Sequence, residues 1–234
     1  MSSGAVNKKP KRIFITGTDT DAGKTVVATQ LLRALAFAGY RTAALKPLAA
    51  GVDNTLSDPR NSDAVQLQAA ATEAQTYEVV NPYLFAEAIA PHIAAKNEDR
   101  EIDFNECVAR CQPLLNSDAD VVVVEGAGGW LVPINEQYTM ADLAEALDMQ
   151  VVLVVGMKLG CINHALLTAA AIEQAGLPLV GWVANHLHQD MSESAANVAA
   201  LAARIQSPLL AELPFSPSIE SANFVDQFDL SQLF

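Results

Sequence analysis

The sequence has little cysteine, little positive charge and no long apolar run. Its three cysteines are too few for a disulfide framework and indicate a reducing compartment. The 14 basic residues are outnumbered by 27 acidic ones, and the formal net charge of -13 argues against nucleic acid or an anionic membrane surface as the partner. No segment has the unbroken apolar length of a membrane span. These absences favour a cytoplasmic protein that acts on a small molecule.

Metal-site and targeting patterns are also lacking. Cys107 and Cys111 share one face of a predicted helix but have no matching pair nearby, so we interpret them as small buried hydrophobic residues. The start of the chain has basic residues but no apolar core of a signal peptide. We therefore expect residues 1–11 to be a short disordered lead. With 51% hydrophobic residues and no internal repeat, residues 12–234 are long enough for one α/β domain.

A glycine-rich loop follows a short β-branched strand near the start of the chain. Residues 12–16 are Arg-Ile-Phe-Ile-Thr, and residues 17–25 are Gly-Thr-Asp-Thr-Asp-Ala-Gly-Lys-Thr. A loop of this kind that opens onto a helix presents backbone N–H groups to phosphate, with Lys24 reaching the β- and γ-phosphates and the Thr25 hydroxyl facing Mg²⁺. Five residues separate Gly17 from Gly23, one more than in the strict motif. The alternative is a strand-to-helix turn with a chance Gly-Lys-Thr.

Strand and helix patterns alternate along the rest of the chain. Strands are predicted at 12–16, 42–45, 120–124, 151–155, 179–184 and 209–213, and helices at 26–38, 64–71, 102–115, 165–175 and 192–204. Residues 77–96 are apolar but irregular, as a substrate-wall insertion would be. This alternation predicts a three-layer α/β fold of the P-loop NTPase type, with a mostly parallel sheet and helices on both faces.

Chemically useful side chains follow several of the predicted strands. Lys46 comes after the second strand, Glu125 ends a continuously apolar strand, and Asn185 ends a later one. Because ligands bind at the carboxyl ends of parallel strands, these residues should meet at one edge. Glu125 would join Thr25 as an oxygen ligand of Mg²⁺. For Lys46 the alternative is a solvated lysine at a strand end, and for Asp63, in a helical first turn, a complement to the helix dipole.

In combination these motifs resemble the dethiobiotin synthetase family. The matching segments lie across nearly the whole chain: residues 17–25, Lys46-Pro47 with Gly51, Asn61-Ser62-Asp63, Asn81-Pro82-Tyr83, Glu125-Gly126-Ala127-Gly128-Gly129, residues 158–164 and residues 181–185. Members convert 7,8-diaminononanoate, CO₂ and ATP into dethiobiotin, ADP and phosphate. One amine becomes a carbamate, which attacks the γ-phosphate, and the other amine then closes the cyclic urea. The resemblance therefore implies an ATP-dependent cyclo-ligase of biotin biosynthesis.

The resemblance also implies roles for individual residues. Lys24 and Lys46 would be catalytic, and Thr25, Asp63 and Glu125 would hold Mg²⁺. The residues expected at ATP are Asp21, Ala22, Gly23, Lys24, Thr25, Val26, Asp63, Glu125, Gly126, Ala127, Gly128, Asn185, His186, Pro214, Phe215 and Glu220. Those expected at the substrate are Thr20, Lys46, Ala50, Gly160, Cys161, Ile162 and Asn163. The family implies a homodimer, in which residues 160–163 of one subunit bind the carboxylate of the substrate held by the other.

The chain departs from the family pattern at two positions, and two other functions compete with this one. Ala50 stands where many members have serine, so the resemblance implies one side-chain hydrogen bond fewer to substrate, and Asp21 stands where glutamate is frequent. A related amide-forming ligase, such as a cobyrinic acid a,c-diamide synthase, normally carries a glutaminase domain for which this chain has no room. A dimerising ATPase switch usually has a second lysine early in the loop, where Thr18, Asp19 and Thr20 stand instead.

Overall fold

The computed structural model describes residues 9–53, 58–217 and 223–234. Within them the strands are β1 (Lys11–Gly17), β2 (Thr42–Leu45), β3 (Leu48–Ala50), β4 (Tyr83–Phe85), β5 (Val121–Gly129), β6 (Gln150–Met157), β7 (Leu179–His186) and β8 (Leu209–Leu213). The α-helices are α1 (Lys24–Phe37), α2 (Ser62–Ala70), α3 (Tyr77–Val80), α4 (Pro91–Asn97), α5 (Phe104–Leu115), α6 (Met140–Ala146), α7 (Cys161–Gln174) and α8 (Ser194–Ala202). Two 3₁₀ turns, Val225–Gln227 and Leu230–Gln232, lie near the end of the chain.

Six of these strands form one sheet in the order β2-β5-β1-β6-β7-β8. Every neighbouring pair in it is parallel. The central strands are continuously apolar because both of their faces are covered, and Val121 to Val124 have no exposed surface. The prediction of a mostly parallel sheet is therefore confirmed.

The two faces of the sheet bury separate cores. Since successive strand residues point to opposite sides, Val122 and Val124 pack with residues of α5, α6 and α7. Val121 and Val123 pack on the other face with residues of α1 and α2 and with the chain end near Phe228. Helices thus cover both faces, as the alternation of elements predicts.

Several predicted boundaries need correction. β5 continues past Glu125 to Gly129, because the glycines after the acid remain extended and Gly129 pairs with Gly17 of β1. α7 begins at Cys161, so residues 161–163 form its first turn and do not belong to the preceding loop. β1 begins at Lys11, one residue inside the expected lead, whose residues 1–8 lie outside the described part of the chain.

The region predicted as an irregular insertion contains short regular elements. α3, β4 and α4 lie in it, and β4 pairs in a small parallel sheet with β3, which precedes the region. Elements of three to seven residues are too short to show a helical or strand period in the sequence. α6 was also missed, although Thr139 and Asp142 form a capping box at its start.

The structure also bears on the predictions about membrane spans and cysteines. Among the described residues, no helix is both long and apolar enough to cross a membrane. All three cysteines lie in that part of the chain as buried free thiols, which confirms the interpretation of Cys107 and Cys111.

Candidate active site

The glycine-rich loop joins β1 to α1 at the carboxyl edge of the sheet. Gly23 precedes α1 in the left-handed region, with φ of 87° and no side-chain cap, and the first amides of a helix have no intrahelical partners. Lys24 is 7% exposed, and its Nζ donates to the carbonyl oxygen of Asp19 at 3.2 Å. The lysine is therefore folded over its own loop, which is where a bound phosphate would meet it.

Gly23 is also close to β7, through the side chain of Asn185. The Asn185 amide donates from Nδ2 to the carbonyl oxygen of Ala22 at 2.9 Å. A Cβ at position 23 would lie 2.0 Å from that nitrogen. The close approach and the positive φ both require glycine here.

A buried group of opposite charges lies beside the loop. Lys46 Nζ is 2.5 Å from Glu125 Oε1 and 3.1 Å from Asp63 Oδ2. The Thr25 hydroxyl donates to the same Glu125 oxygen at 3.0 Å. β2 delivers the lysine, β5 the glutamate and the first turn of α2 the aspartate, so three separate elements converge on one point. This position rules out the alternative of a solvated strand-end lysine.

Burial and pairing together set the ionisation of these groups. Burial alone would lower the pKa of Lys46, but Glu125 and Asp63 outweigh it and leave that pKa above its ordinary value. Burial raises the pKa of Glu125 even though Lys46 favours its ionised form. Burial acts in the same direction on Asp63, but Lys46, with help from Thr25 and Lys24, holds its pKa below the usual range. Lys24 has a lowered pKa because its burial is only partly offset by Glu125.

The oxygen atoms at this point suit a hard divalent cation. Glu125 is 1% exposed, and its Oε2 is buried with no hydrogen-bond partner. Thr25 and Asp63 place two more oxygen ligands beside it. Within the described residues no cluster of three histidine, cysteine, aspartate or glutamate side chains could hold a metal. A cation here would complete its shell with water and nucleotide phosphate, as Mg²⁺ does in phosphate-loop enzymes.

A cavity of about 680 Å³ opens along this edge of the sheet. Most of the predicted site residues line it: Thr20, Asp21, Gly23, Lys24, Thr25, Val26, Lys46, Ala50, Asp63, Glu125, Ala127, Gly128, Asn185, His186, Pro214 and Phe215. Ala22 and Gly126, also expected at ATP, are buried and do not line it. The structure thus brings the phosphate loop, both lysines and both carboxylates into one cavity.

Comparison with known proteins decides the family. A family model described as an AAA domain matches residues 11–223. ATP-dependent dethiobiotin synthetase BioD from Cellvibrio japonicus is 55% identical over 87% of this chain and 89% of its own length. BioD 1 from Salmonella typhi is 46% identical, with coverage of 95% and 98%. The chain belongs to the dethiobiotin synthetase family. The resemblance inferred from its motifs is thereby confirmed.

Other comparisons extend the picture. The dethiobiotin synthetase BioD from Vibrio vulnificus is 49% identical over 89% of this chain and 91% of its own length. Among solved structures, the GDP complex of the signal recognition particle receptor FtsY from Elizabethkingia anophelis has a TM-score of 0.49 at 16% identity and covers 97% of this chain and 66% of that one.

Some residues expected at the site of a dethiobiotin synthetase lie elsewhere. Gly160 to Asn163, expected at the substrate carboxylate, do not line the cavity of their own chain. They form the start of α7, where Lys158 Nζ lies 2.9 Å from Asp19 Oδ2 of the phosphate loop. Glu220, expected at ATP, lies outside the described residues.

Other residues that line the cavity are not among the site residues predicted from the sequence. Ile89, Pro91 and Phe224 are three of them. Ile89 and Pro91 belong to residues 77–96, the stretch that the sequence interpretation gives as a substrate-wall insertion, with Pro91 among its prolines. For Phe224, which follows the last predicted strand by many residues, the sequence carries no comparable signal.

Proposed function

We propose that this protein is an ATP-dependent dethiobiotin synthetase that closes the ureido ring on 7,8-diaminononanoate with CO₂. The observation that supports this best is the buried contact of Lys46 with Glu125 and Asp63 beside a phosphate loop, in a chain of this family. A nucleotide-only site needs a phosphate loop and a metal-holding acid. The second buried lysine provides a fixed cation for a further anion, which the carbamate would be.

The two lysines have different roles in this proposal. The carbamate oxygen attacks the γ-phosphorus, the bond from that phosphorus to the β-bridging oxygen breaks, and ADP leaves. Lys24 holds the transferring phosphoryl group, and Lys46 offsets the charge that gathers as the carbamate approaches it. The free amine then attacks the carbamoyl carbon and expels phosphate. Both steps gather or move negative charge near fixed cations, so preorganised electrostatics lower the barrier.

Mg²⁺ is part of the proposal. Thr25, Asp63 and Glu125 would hold it, and the ion would supply positive charge to the β- and γ-phosphates. The buried, unpartnered Glu125 Oε2 supports this role, because such an oxygen is costly unless a cation or a donor satisfies it.

The nucleotide base would lie at the β7 and β8 end of the cavity. Asn185 donates to the Ala22 carbonyl from Nδ2, which leaves Oδ1 as an acceptor for an exocyclic amine of the base. His186, Pro214 and Phe215 line the same end. The contribution of Glu220 stays a prediction.

A homodimer with shared sites is the proposed assembly. Its support is that Gly160 to Asn163 do not line the cavity of their own chain, although the amides at the start of α7 suit a carboxylate. Three leucines are unusually exposed: Leu159, next to Gly160 in the chain, at 99%, and Leu131 and Leu167, which line a second cavity together, at 63% each. Exposed apolar side chains in and near α7 fit a surface that a second copy covers. A single domain from residue 12 and a cytoplasmic location stay predictions.

One assay separates this function from its competitors. The protein is incubated with ATP, Mg²⁺ and bicarbonate, with and without 7,8-diaminononanoate, and phosphate is measured. A synthetase releases phosphate only with the diamine. Phosphate release that ignores the diamine would indicate an ATPase switch, and release that instead requires an amide donor would indicate a related ligase.

A further inference from the structure

A buried polar network lies next to the lysine and aspartate of the site, and one of its members, Asn61, lines the cavity. Its members are Asn61, Tyr77 and Asn81, which are 7%, 8% and 4% exposed. None of them takes part in the proposed chemistry, and Asn81 belongs to a sequence motif that still lacks a role. Buried polar side chains are costly unless their hydrogen bonds are made, so their partners indicate what they do.

Asn81 holds the main chain of Lys46. Its Nδ2 donates to the Lys46 carbonyl oxygen at 2.7 Å and to the Tyr83 carbonyl oxygen at 3.1 Å. The Lys46 N–H donates to the Val80 carbonyl oxygen at 2.8 Å. Both main-chain polar groups of the lysine are therefore fixed by the segment around α3. Aspartate could not replace Asn81, because a carboxylate cannot donate to two carbonyl groups.

Tyr77 connects the same segment to the helix that carries Asp63. Its hydroxyl donates to Asn81 Oδ1 at 3.0 Å and accepts from the Asn61 N–H at 2.7 Å. Asn61 in turn caps α2 by accepting from the Ala64 N–H at 3.2 Å. Asp63 lies in the first turn of that helix. A single phenol group thus joins the backbone of Lys46 to the start of α2.

We propose that Tyr77 and Asn81 are positioning residues, which set the place of the Lys46 ammonium relative to the Asp63 carboxylate. This inference rests on the proposed function, because it concerns the same site. Lys46 and Asp63 come from different elements, and the 3.1 Å contact between their charged groups requires the two backbones to be held at a fixed separation. The network supplies that constraint. None of its three members belongs to the phosphate loop or α1, so we expect nucleotide binding without a metal ion to be independent of it.

The first test removes only the phenol oxygen, in Tyr77→Phe. Its matched control is Tyr40→Phe. Tyr40 precedes β2, at the end of that strand away from Lys46, and its ring stacks on Phe234. Three quantities are measured: kcat with 7,8-diaminononanoate, Mn²⁺ affinity of the protein with a non-hydrolysable ATP analogue, and analogue affinity in EDTA. We expect Tyr77→Phe to lower kcat and Mn²⁺ affinity about tenfold each, since two buried polar groups lose their partner. Analogue affinity in EDTA stays at the wild-type value.

A second variant keeps the shape of the network and removes its donors. Asn81→Asp should show the same two losses to a larger degree, again with unchanged analogue affinity in EDTA. Thermal unfolding of each variant measures the folded fraction, and kcat is expressed per folded protein. If both variants keep wild-type kcat and Mn²⁺ affinity per folded protein, the network is merely structural and the inference is wrong. If wild-type protein releases no diamine-dependent phosphate, the proposed function is wrong. The Mn²⁺ affinities of the two variants then still test whether the network positions Lys46 and Asp63.

Discussion

Lys46 is a lysine with almost no exposed surface, and its ammonium group lies between two carboxylates. Such an arrangement is costly to desolvate and stays ionised only because each charge has partners. Lys46, Asp63 and Glu125 can be recognised in the sequence, because each follows a strand or lies at the start of a helix. Their mutual distances cannot be, because the side chains come from β2, α2 and β5, and no local pattern encodes how those elements meet.

Lys46→Met should therefore destabilise the fold in a pH-dependent way. Without the ammonium, burial raises the pKa of Glu125 further, so the folded state keeps a proton that the unfolded chain releases above its ordinary pKa of about 4.5. Stability relative to wild type then falls as pH rises from about 5 to about 8, where we expect a loss of about 3 kcal/mol. Chemical denaturation at both pH values checks this, with Lys96→Met, an exposed lysine of α4, as the control. A loss that is equal at both pH values would contradict the buried ion pair.

At the scale of elements, the long α/β units were predictable and the short ones were not. β8 lies where the pattern predicts it, at Leu209–Leu213, because an apolar run bounded by two prolines leaves little choice. β5 ran past its predicted end because glycine is usually a stop signal, whereas here Gly129 pairs with β1 and lets the phosphate loop approach. The short elements from β3 to α4 are fixed by tertiary hydrogen bonds such as those of Asn81, which leave no period in the sequence.

The junction between β1 and α1 gives a prediction with an internal control. Gly23 and Gly39 have nearly the same positive φ, 87° and 89°, but a Cβ at Gly39 would meet nothing within 4 Å. Gly39→Ala should cost about 1 kcal/mol from backbone strain alone and leave nucleotide affinity unchanged. Gly23→Ala should cost more and weaken nucleotide binding, because Asn185 must move. Denaturation and titration with an ATP analogue measure the two effects. Similar results for both variants would mean that the contact with Asn185 is unimportant.

At the scale of the whole molecule, the protein is acidic, but Lys24 and Lys46 lie together in one cavity. The net charge of -13 does not prevent phosphate binding, because Lys24, Lys46 and the loop amides act locally. The predicted carboxylate site at the start of α7 does not contribute to the cavity of the same chain. Sequence motifs indicated these residues, but only the fold places them outside the cavity of their own chain.

Subunit mixing tests whether two chains share each active site. Gly160→Glu places a charge at the start of α7, where a Cβ meets nothing within 4 Å, and should weaken diaminononanoate binding while ATP affinity stays unchanged. Gly160→Ala controls for the strain of φ 92°. Mixed with inactive Lys24→Ala, the glutamate variant should regain activity, because a mixed dimer has one site with both lesions and one with neither. If mass spectrometry detects mixed dimers and activity stays absent, the sites are not shared.

The most direct measurement of the central claim follows an oxygen atom. If a carbamate attacks the γ-phosphorus and ring closure then expels phosphate, the bridging oxygen comes from CO₂ and leaves with the phosphate. Turnover with ¹³C- and ¹⁸O-labelled bicarbonate should give, by mass spectrometry, a ring that contains ¹³C and phosphate that carries one ¹⁸O, both only with 7,8-diaminononanoate. Unlabelled phosphate, or phosphate released equally without the diamine, would contradict the account.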